Sequence, residues 1–254
     1  MFEVRISAVR YSNTYPLIYG LENSGIELNA EIKIDHPADC AKKIVTGEAD
    51  IGLIPVISIH QNPSLSIIAD FCIGSRGPVR TVLLLSNKPP EKLDTIYLDY
   101  RSRTSVALTR LLARKFWKCD FNWVETNHDF SFTNIADNEG LVLIGDQCYE
   151  MESKFSHRTD LATEWNKHTG LPFVFACWVA NKSFSSNFIE KFNKAMAFGV
   201  VNIDRVVEYY GNRGVMPHDV LKDYLTNNID FLLDDEKRLA MHTFFKYLDE
   251  LKIS

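Results

Sequence analysis

Hydrophobic positions change period repeatedly along this chain. Val4–Val9 reads as a short strand, and 13–21 as a helix entered through a polar turn, with Pro16 in its first turn. An amphipathic helix over 38–45 ends at Thr46-Gly47, where glycine supplies a left-handed cap, and 49–56 (ADIGLIPV) follows as a buried strand. The same reading predicts strands at 81–85, 95–98, 122–125, 140–144 and 173–180, and a helix at 104–115. Further helices are predicted near 186–200, 203–213, 217–230 and 235–251. Alternation of this kind means an α/β protein, with helices covering mostly parallel sheets. Two loops, Gly74-Ser75-Arg76-Gly77-Pro78 and Thr169-Gly170-Leu171-Pro172, each precede a long apolar strand. Such a pair suits a chain that leaves one lobe and returns, with 1–78 and 181–254 forming one lobe, 79–180 the other, and a ligand cleft between them.

Composition narrows the class. At 254 residues and 46% hydrophobic, the chain has ample material for a core without metal or disulfide staples. Its 28 basic and 33 acidic residues give −5 with both signs interspersed, which argues against a phosphate-neutralising surface and so against nucleic acid as a partner. Charges interrupt any apolar leader near Met1, and no stretch approaches a membrane span, so a cytoplasmic protein without membrane contact is expected. The five cysteines (Cys40, Cys72, Cys119, Cys148, Cys177) form no C-x-x-C, and the seven histidines form no H-E-x-x-H. Buried free thiols and no metal site are expected. Trp165 and Trp178 read as packing residues, and His128, His157 and His168 sit in polar loop contexts without evident chemistry. The aromatic run 241–251 suits packing within the chain or contact with a partner, so the oligomeric state stays open.

Candidate chemistry gathers where strands run into helices. In Asp99-Tyr100-Arg101-Ser102-Arg103-Thr104-Ser105, Ser102 is a natural N-cap, and Thr104 and Ser105 put hydroxyls beside unpaired N–H groups at the positive helix end. A carboxylate is the expected tenant, because neither G-x-x-x-x-G-K-[ST] nor G-x-G-x-x-G occurs. The segment Arg10-Tyr11-Ser12-Asn13-Thr14-Tyr15-Pro16 has the same strand-to-helix form. In open α/β sheets ligands collect at such strand ends. Ser75 with Arg76, and Asp146 after an apolar strand, complete the candidate set. Simple capping accounts for the hydroxyls equally well, and a solvated surface is the commoner place for Arg76, Arg80, Arg101 and Arg103.

Six blocks carry a family resemblance: RYSNTYPL (10–17), GEADIGLIP (47–55), GPVRTVLLLS (77–86), SRTSVALTRLL (102–112), LIGDQ (143–147) and DLATEWNKHTGLPFVFACW (160–178). In these the chain resembles the chorismate dehydratase family of the futalosine route to menaquinone, built on the two-lobe, type II periplasmic-binding-protein fold. The family more often has an apolar residue at the place of Ser12, and Ser at that of Thr81. A sister family that makes dihydroxynaphthoate carries a His where Gly145-Asp146 stands here. The resemblance implies cofactor-free loss of water from chorismate, giving 3-[(1-carboxyvinyl)oxy]benzoate. Ser102, Thr104 and Ser105 would clamp one carboxylate, and Ser75 with the first-turn amides the other; Ser12, Arg76 and Asp146 are further candidate substrate-binding residues. Asn13 matches the family's catalytic position; a neutral amide is no general base, so it would orient substrate or hydrogen-bond the leaving hydroxyl. With no His in the matched blocks, the substrate's own enolpyruvyl carboxylate is the expected base and Asp146 its rival. The alternatives are the sister activity and a non-catalytic protein that holds a small carboxylate.

Overall fold

The computed structural model describes residues 4–9, 11–127, 129–130, 132, 135–211 and 214–253. The strands are β1 (Val4–Val9), β2 (Ala30–Asp35), β3 (Ile51–Pro55), β4 (Ser66–Ser75), β5 (Val82–Ser86), β6 (Thr95–Leu98), β7 (Asn122–Glu125), β8 (Glu139–Ile144), β9 (His157–Asp160), β10 (Phe173–Ala180) and β11 (Asp230–Leu232). The helices are α1 (Tyr15–Asn23), α2 (Pro37–Thr46), α3 (Val56–Gln61), α4 (Arg103–Leu111), α5 (Gln147–Met151), α6 (Leu161–Thr169), α7 (Ser186–Val201), α8 (Ile203–Tyr210), α9 (His218–Asp223) and α10 (Asp235–Leu251). They build two sheets, in the orders β11-β4-β10-β3-β1-β2 and β7-β6-β8-β5-β9.

Both sheets are mixed, which corrects the mostly parallel expectation. β1 pairs in parallel with β2 and β3, and β6 with β7 and β8, whereas β5 and β10 run antiparallel to both of their neighbours. Those two strands follow the two loops singled out in the sequence. β5 is the first strand of the five-stranded sheet, and β10 brings the chain back into the six-stranded one. The expected boundaries assign 79–180 to one lobe, but β10 lies between β3 and β4, so the chain recrosses before Phe173.

Some helices are shorter than their periodicity suggests. The expected helix 104–115 is α4 followed by a π-helical stretch, Leu112–Trp117. The expected helix 217–230 divides into α9, a π-helical turn Tyr224–Asn228 and β11. The 203–213 helix ends as α8 at Tyr210, and residues 212 and 213 lie outside the described set. Trp165 and Trp178 are both fully buried, as expected of packing residues. Trp165 meets Phe173 and Phe244 edge-on, so α6, β10 and α10 share one aromatic seam. Among the described residues the cysteines are free thiols, four buried and Cys119 partly so.

α1 crosses α7 through glycines. A Cβ on Gly199 would lie 1.7 Å from the Pro16 carbonyl oxygen, and one on Gly20 would lie 2.1 Å from that of Ala195. The backbones therefore touch, and this contact fixes where the α1 N-terminus points.

Asp50, from the GEADIGLIP block, ties three chain segments together. Its carboxylate accepts from the Arg5 backbone N–H, Nε and Nη2, and from Lys182 Nζ at 2.8 Å. Hydrogen bonding from Arg5 is the main cause holding this carboxyl well below the ordinary range, with Lys182 adding to it. A depressed carboxylate pKa stabilises the fold above the unfolded value, near 3.9, and that contribution fades as pH falls from there toward the folded value. Asp50→Asn should therefore melt about 4 °C lower than wild type at pH 7. The gap should narrow between pH 4 and pH 3 in thermal melts; a gap that widens on acidification would contradict this account.

Candidate active site

One cavity lies between the sheets, lined from both. Val9, Leu53, Ile73, Val82 and Phe175 give it apolar walls, and Asn13, Thr81, Ser102, Thr104 and Ser105 bring polar groups. Its free volume is about 80 Å³, well short of the roughly 300 Å³ at the lower end of ligand pockets.

The start of α4 forms one wall. Asp99 ends the β6 segment, and Ser102 caps the helix, its Oγ accepting from the Ser105 N–H at 3.2 Å. The N–H groups of Arg103 and Thr104, at the first two helical positions, have no intrahelical acceptor and find none elsewhere among the described residues. Two free donors at the positive helix end thus border the cavity, which is the geometry of an anion seat. The Thr104 hydroxyl faces backbone: it donates to the Phe175 carbonyl at 3.4 Å and accepts a 3.5 Å bond from the Ile57 N–H. That residue joins α4 to the other sheet as well as lining the cavity.

Arg101 was among the arginines whose commoner place is a solvated surface, and it lies in the cavity wall. Its Nε and Nη2 bond to the two oxygens of fully buried Asp99 at 2.8 and 2.9 Å. Gln147 Nε2 donates to the same carboxylate at 3.2 Å. Arg103 also lines the cavity and donates to Gln61 Oε1 at 2.6 Å. With Arg101 balanced by Asp99, the unbalanced positive charge at this wall comes from Arg103 and the helix end.

The opposite wall is the 3₁₀ turn Ser12–Thr14 leading into α1. Thr14 Oγ1 donates to the carbonyls of Val9 and Tyr11, both at 2.8 Å, which locks the turn and presents Asn13 to the cavity. Both Asp146 oxygens accept from the Ser12 N–H at 3.2 Å. Burial pushes the Asp146 carboxyl above its ordinary range, against the lowering effect of Ser12. Ser12 and Asp146 thus sit directly behind the cavity wall. Arg10, which opens this segment in sequence, lies outside the described residues.

Gly145 has φ +74°, and a Cβ there would lie 2.7 Å from the Tyr11 ring. Of the pair Gly145-Asp146, which stands where the sister family carries a His, the first position thus disfavours a side chain by both conformation and contact. Burial pushes the Tyr11 hydroxyl up to about 12, so it stays protonated.

Two expected site residues lie elsewhere. Ser75 Oγ donates to the Gly77 carbonyl within its own turn, and Ser75 does not line the cavity. Arg76 points to an acidic trio, Asp230, Asp234 and Glu236, and fastens the loop to β11 and α10. Buried Lys237 shares Asp230 at 2.6 Å. Both residues are thus committed to holding the crossover in place. Tyr224, unmarked by the sequence, reaches the site region from the C-terminal segment: its hydroxyl lies 2.7 Å from Thr81 Oγ1 in a fully buried contact. No group of three or more His, Cys, Asp or Glu that would hold a metal occurs among the described residues.

A family model described as menaquinone biosynthesis matches residues 4–250. A chorismate dehydratase from Thermus thermophilus is 24% identical over 260 residues, covering 94% of this chain and 93% of that protein. One from Campylobacter jejuni is 26% identical over 255 residues, covering 97% and 98%. The Candida albicans CA3427 gene product, whose structure has the generic periplasmic binding protein fold, superposes with a TM-score of 0.68 at 12% identity, covering 100% of this chain and 92% of that one. The two-sheet architecture is therefore that of the periplasmic-binding-protein fold. Among the described residues no helix is long and apolar enough to cross a membrane.

Proposed function

This chain belongs to the menaquinone biosynthesis family, and on that premise we propose that it is a cytoplasmic chorismate dehydratase. The observation that carries the reading is the meeting, in one cavity between two sheets, of the α4 anion seat and the Asn13 turn. Two lobes, one around each sheet, with the active site at their seam, belong to the same proposal.

The reaction sets the requirements. The C–H bond beside the enolpyruvyl ether breaks, its electron pair forms the last ring double bond, and the neighbouring hydroxyl departs, taking up a proton to leave as water. The product ring is aromatic, which drives the step. The departing proton is vinylogous to the ring carboxylate, so negative charge develops there, and fixed donors stabilise it most in the transition state. The Arg103 and Thr104 N–H groups, with the Ser102 and Ser105 hydroxyls nearby, suit that carboxylate. Asn13 faces the leaving hydroxyl from the other wall, and its amide can donate without changing charge.

The ring proton goes to the substrate's own enolpyruvyl carboxylate in this reading, and the carboxylic acid so formed passes it to the departing hydroxyl, which leaves as water. Asp146 is a poor rival, since both of its oxygens face the Ser12 N–H and it does not line the cavity. Apolar walls exclude water from the developing charge once the lobes close on substrate. Purified protein incubated with chorismate should accumulate 3-[(1-carboxyvinyl)oxy]benzoate, read by mass and by its aromatic absorbance. Tight chorismate binding with no product at micromolar enzyme would instead establish a carboxylate-binding protein.

A further inference from the structure

A second hollow adjoins the active-site cavity and has no part in the mechanism above. It lies between α3, α4 and the ends of β6 and β7, has a free volume of about 320 Å³, and shares Ser102 and Arg103 with the cavity. Gln61, Asp99, Arg110 and Glu125 also border it. Its cations are poorly matched. Arg103 forms no ion pair among the described residues, and its Nη2 donates to the neutral Oε1 of Gln61 at 2.6 Å, an exposed contact from α4 to the end of α3. Arg110 Nε is buried without a hydrogen-bond partner among the described residues. Its Nη2 lies 3.7 Å from Glu125 Oε1, beyond hydrogen-bond range, on a carboxylate that is 79% exposed. Asp99 is already engaged by Arg101 and Gln147. The hollow is therefore a pocket of positive potential.

Arg103 also carries the wrong charge for its place. It is the first residue of α4, where the helix dipole favours acidic side chains and a cation costs stability. Broken local rules of this kind are expected at functional sites. A guanidinium held only by a neutral amide can exchange it for a carboxylate, which it binds through two parallel, charge-assisted hydrogen bonds. Because Arg103 borders both spaces, that exchange opens the partition between them, and the joined space passes the roughly 300 Å³ that the cavity alone falls short of. We propose that the second hollow is the entrance to the active site and that the Arg103 guanidinium is its gate, leaving Gln61 for a carboxylate of an incoming dicarboxylate and delivering it to the α4 N–H groups. A net charge of −5 offers a dianion no attraction, so the cationic hollow supplies the local field. The choice of chorismate as that dicarboxylate rests on the dehydratase reading; the gate itself does not.

Two substitutions at exposed Gln61 separate the gate from simple packing. Gln61→Glu gives Arg103 a built-in carboxylate that competes with the ligand, and should raise KM for chorismate about three- to tenfold at low salt, less at high ionic strength. Gln61→Ala frees Arg103, and its KM should stay within about twofold of wild type or fall. Arg103→Gln should raise KM about 10- to 100-fold with a smaller change in kcat. In that background Gln61→Glu should shift KM less than about twofold, because its effect passes through the guanidinium. Both sites are exposed, so melting temperatures should stay within about 3 °C of wild type. Equal KM for the two Gln61 variants, or an unchanged KM in Arg103→Gln, would overturn the gate. If the wild-type protein binds chorismate without turning it over, dissociation constants from calorimetry replace KM, and the same order of variants would reject the dehydratase reading and retain the gate. A protein that binds no chorismate would overturn both.

Discussion

Gly199→Ala should melt far below the wild-type protein. A methyl group there would meet the Pro16 carbonyl oxygen at 1.7 Å and the Gly20 nitrogen at 2.8 Å, both backbone atoms that cannot swing aside. Overpacking of flexible side chains costs about 1–3 kcal/mol; a clash between two helix backbones belongs at or above the top of that range. The helices must separate, and α7 packs against β4 as well as α1. The melting temperature should fall by roughly 10 °C or more, read by circular dichroism. Gly77→Ala is the control: a Cβ there meets nothing within 4 Å, and its backbone is not left-handed, so its melt should stay within about 3 °C of wild type. A Gly199→Ala protein that melts with the control would mean that the α1–α7 crossing is looser than described. The crossing bears on activity too, since α1 carries the Asn13 turn at its N-terminus.

Asn13→Ala should lower kcat/KM for chorismate by about 10²–10³, whereas Asp146→Asn should stay within about tenfold of wild type. The contrast follows from where the two side chains point. Asn13 lines the cavity, and in the proposed reaction its amide is the neutral donor to the leaving hydroxyl. Asp146 turns to the Ser12 N–H, and an asparagine there retains an oxygen able to accept the same bond. Steady-state rates on both variants, with substrate binding measured separately, decide the matter. Turnover lost by several orders of magnitude in Asp146→Asn, with binding intact, would identify Asp146 as the base and remove the substrate-assisted step.

Much of the fold could be read from periodicity, and the failures have definite causes. β1, β6, β7 and β10 carry apolar residues in short runs and match their expected ranges. β9 (HRTD) has no apolar residue, so nothing in its pattern announces a strand; only its pairing to β5 defines it. β4 is interrupted by Asp70 and Gly74, and α3 (VISIHQ) has the β-branched composition of the strand it follows. At the site, the α4 N-terminus was legible because a cap has a local signature. Ser75 and Arg76 looked like ligand residues because their loop is glycine-flanked. The acidic trio that engages Arg76 lies more than 150 residues away in the chain, beyond any local pattern. Tyr224 escaped notice for the opposite reason, since a buried tyrosine in a helical run has the same spacing as ordinary core.

The position of β4 has a consequence for how the protein is made. It lies between β10 and β11, and both of its partners are synthesised about a hundred or more residues after it. During translation the five-stranded sheet, contained within 82–160, can close while β4 still has two bare edges. An apolar strand in that state is open to pairing with another nascent chain, so the inserted half must fold quickly enough to bring β10 home.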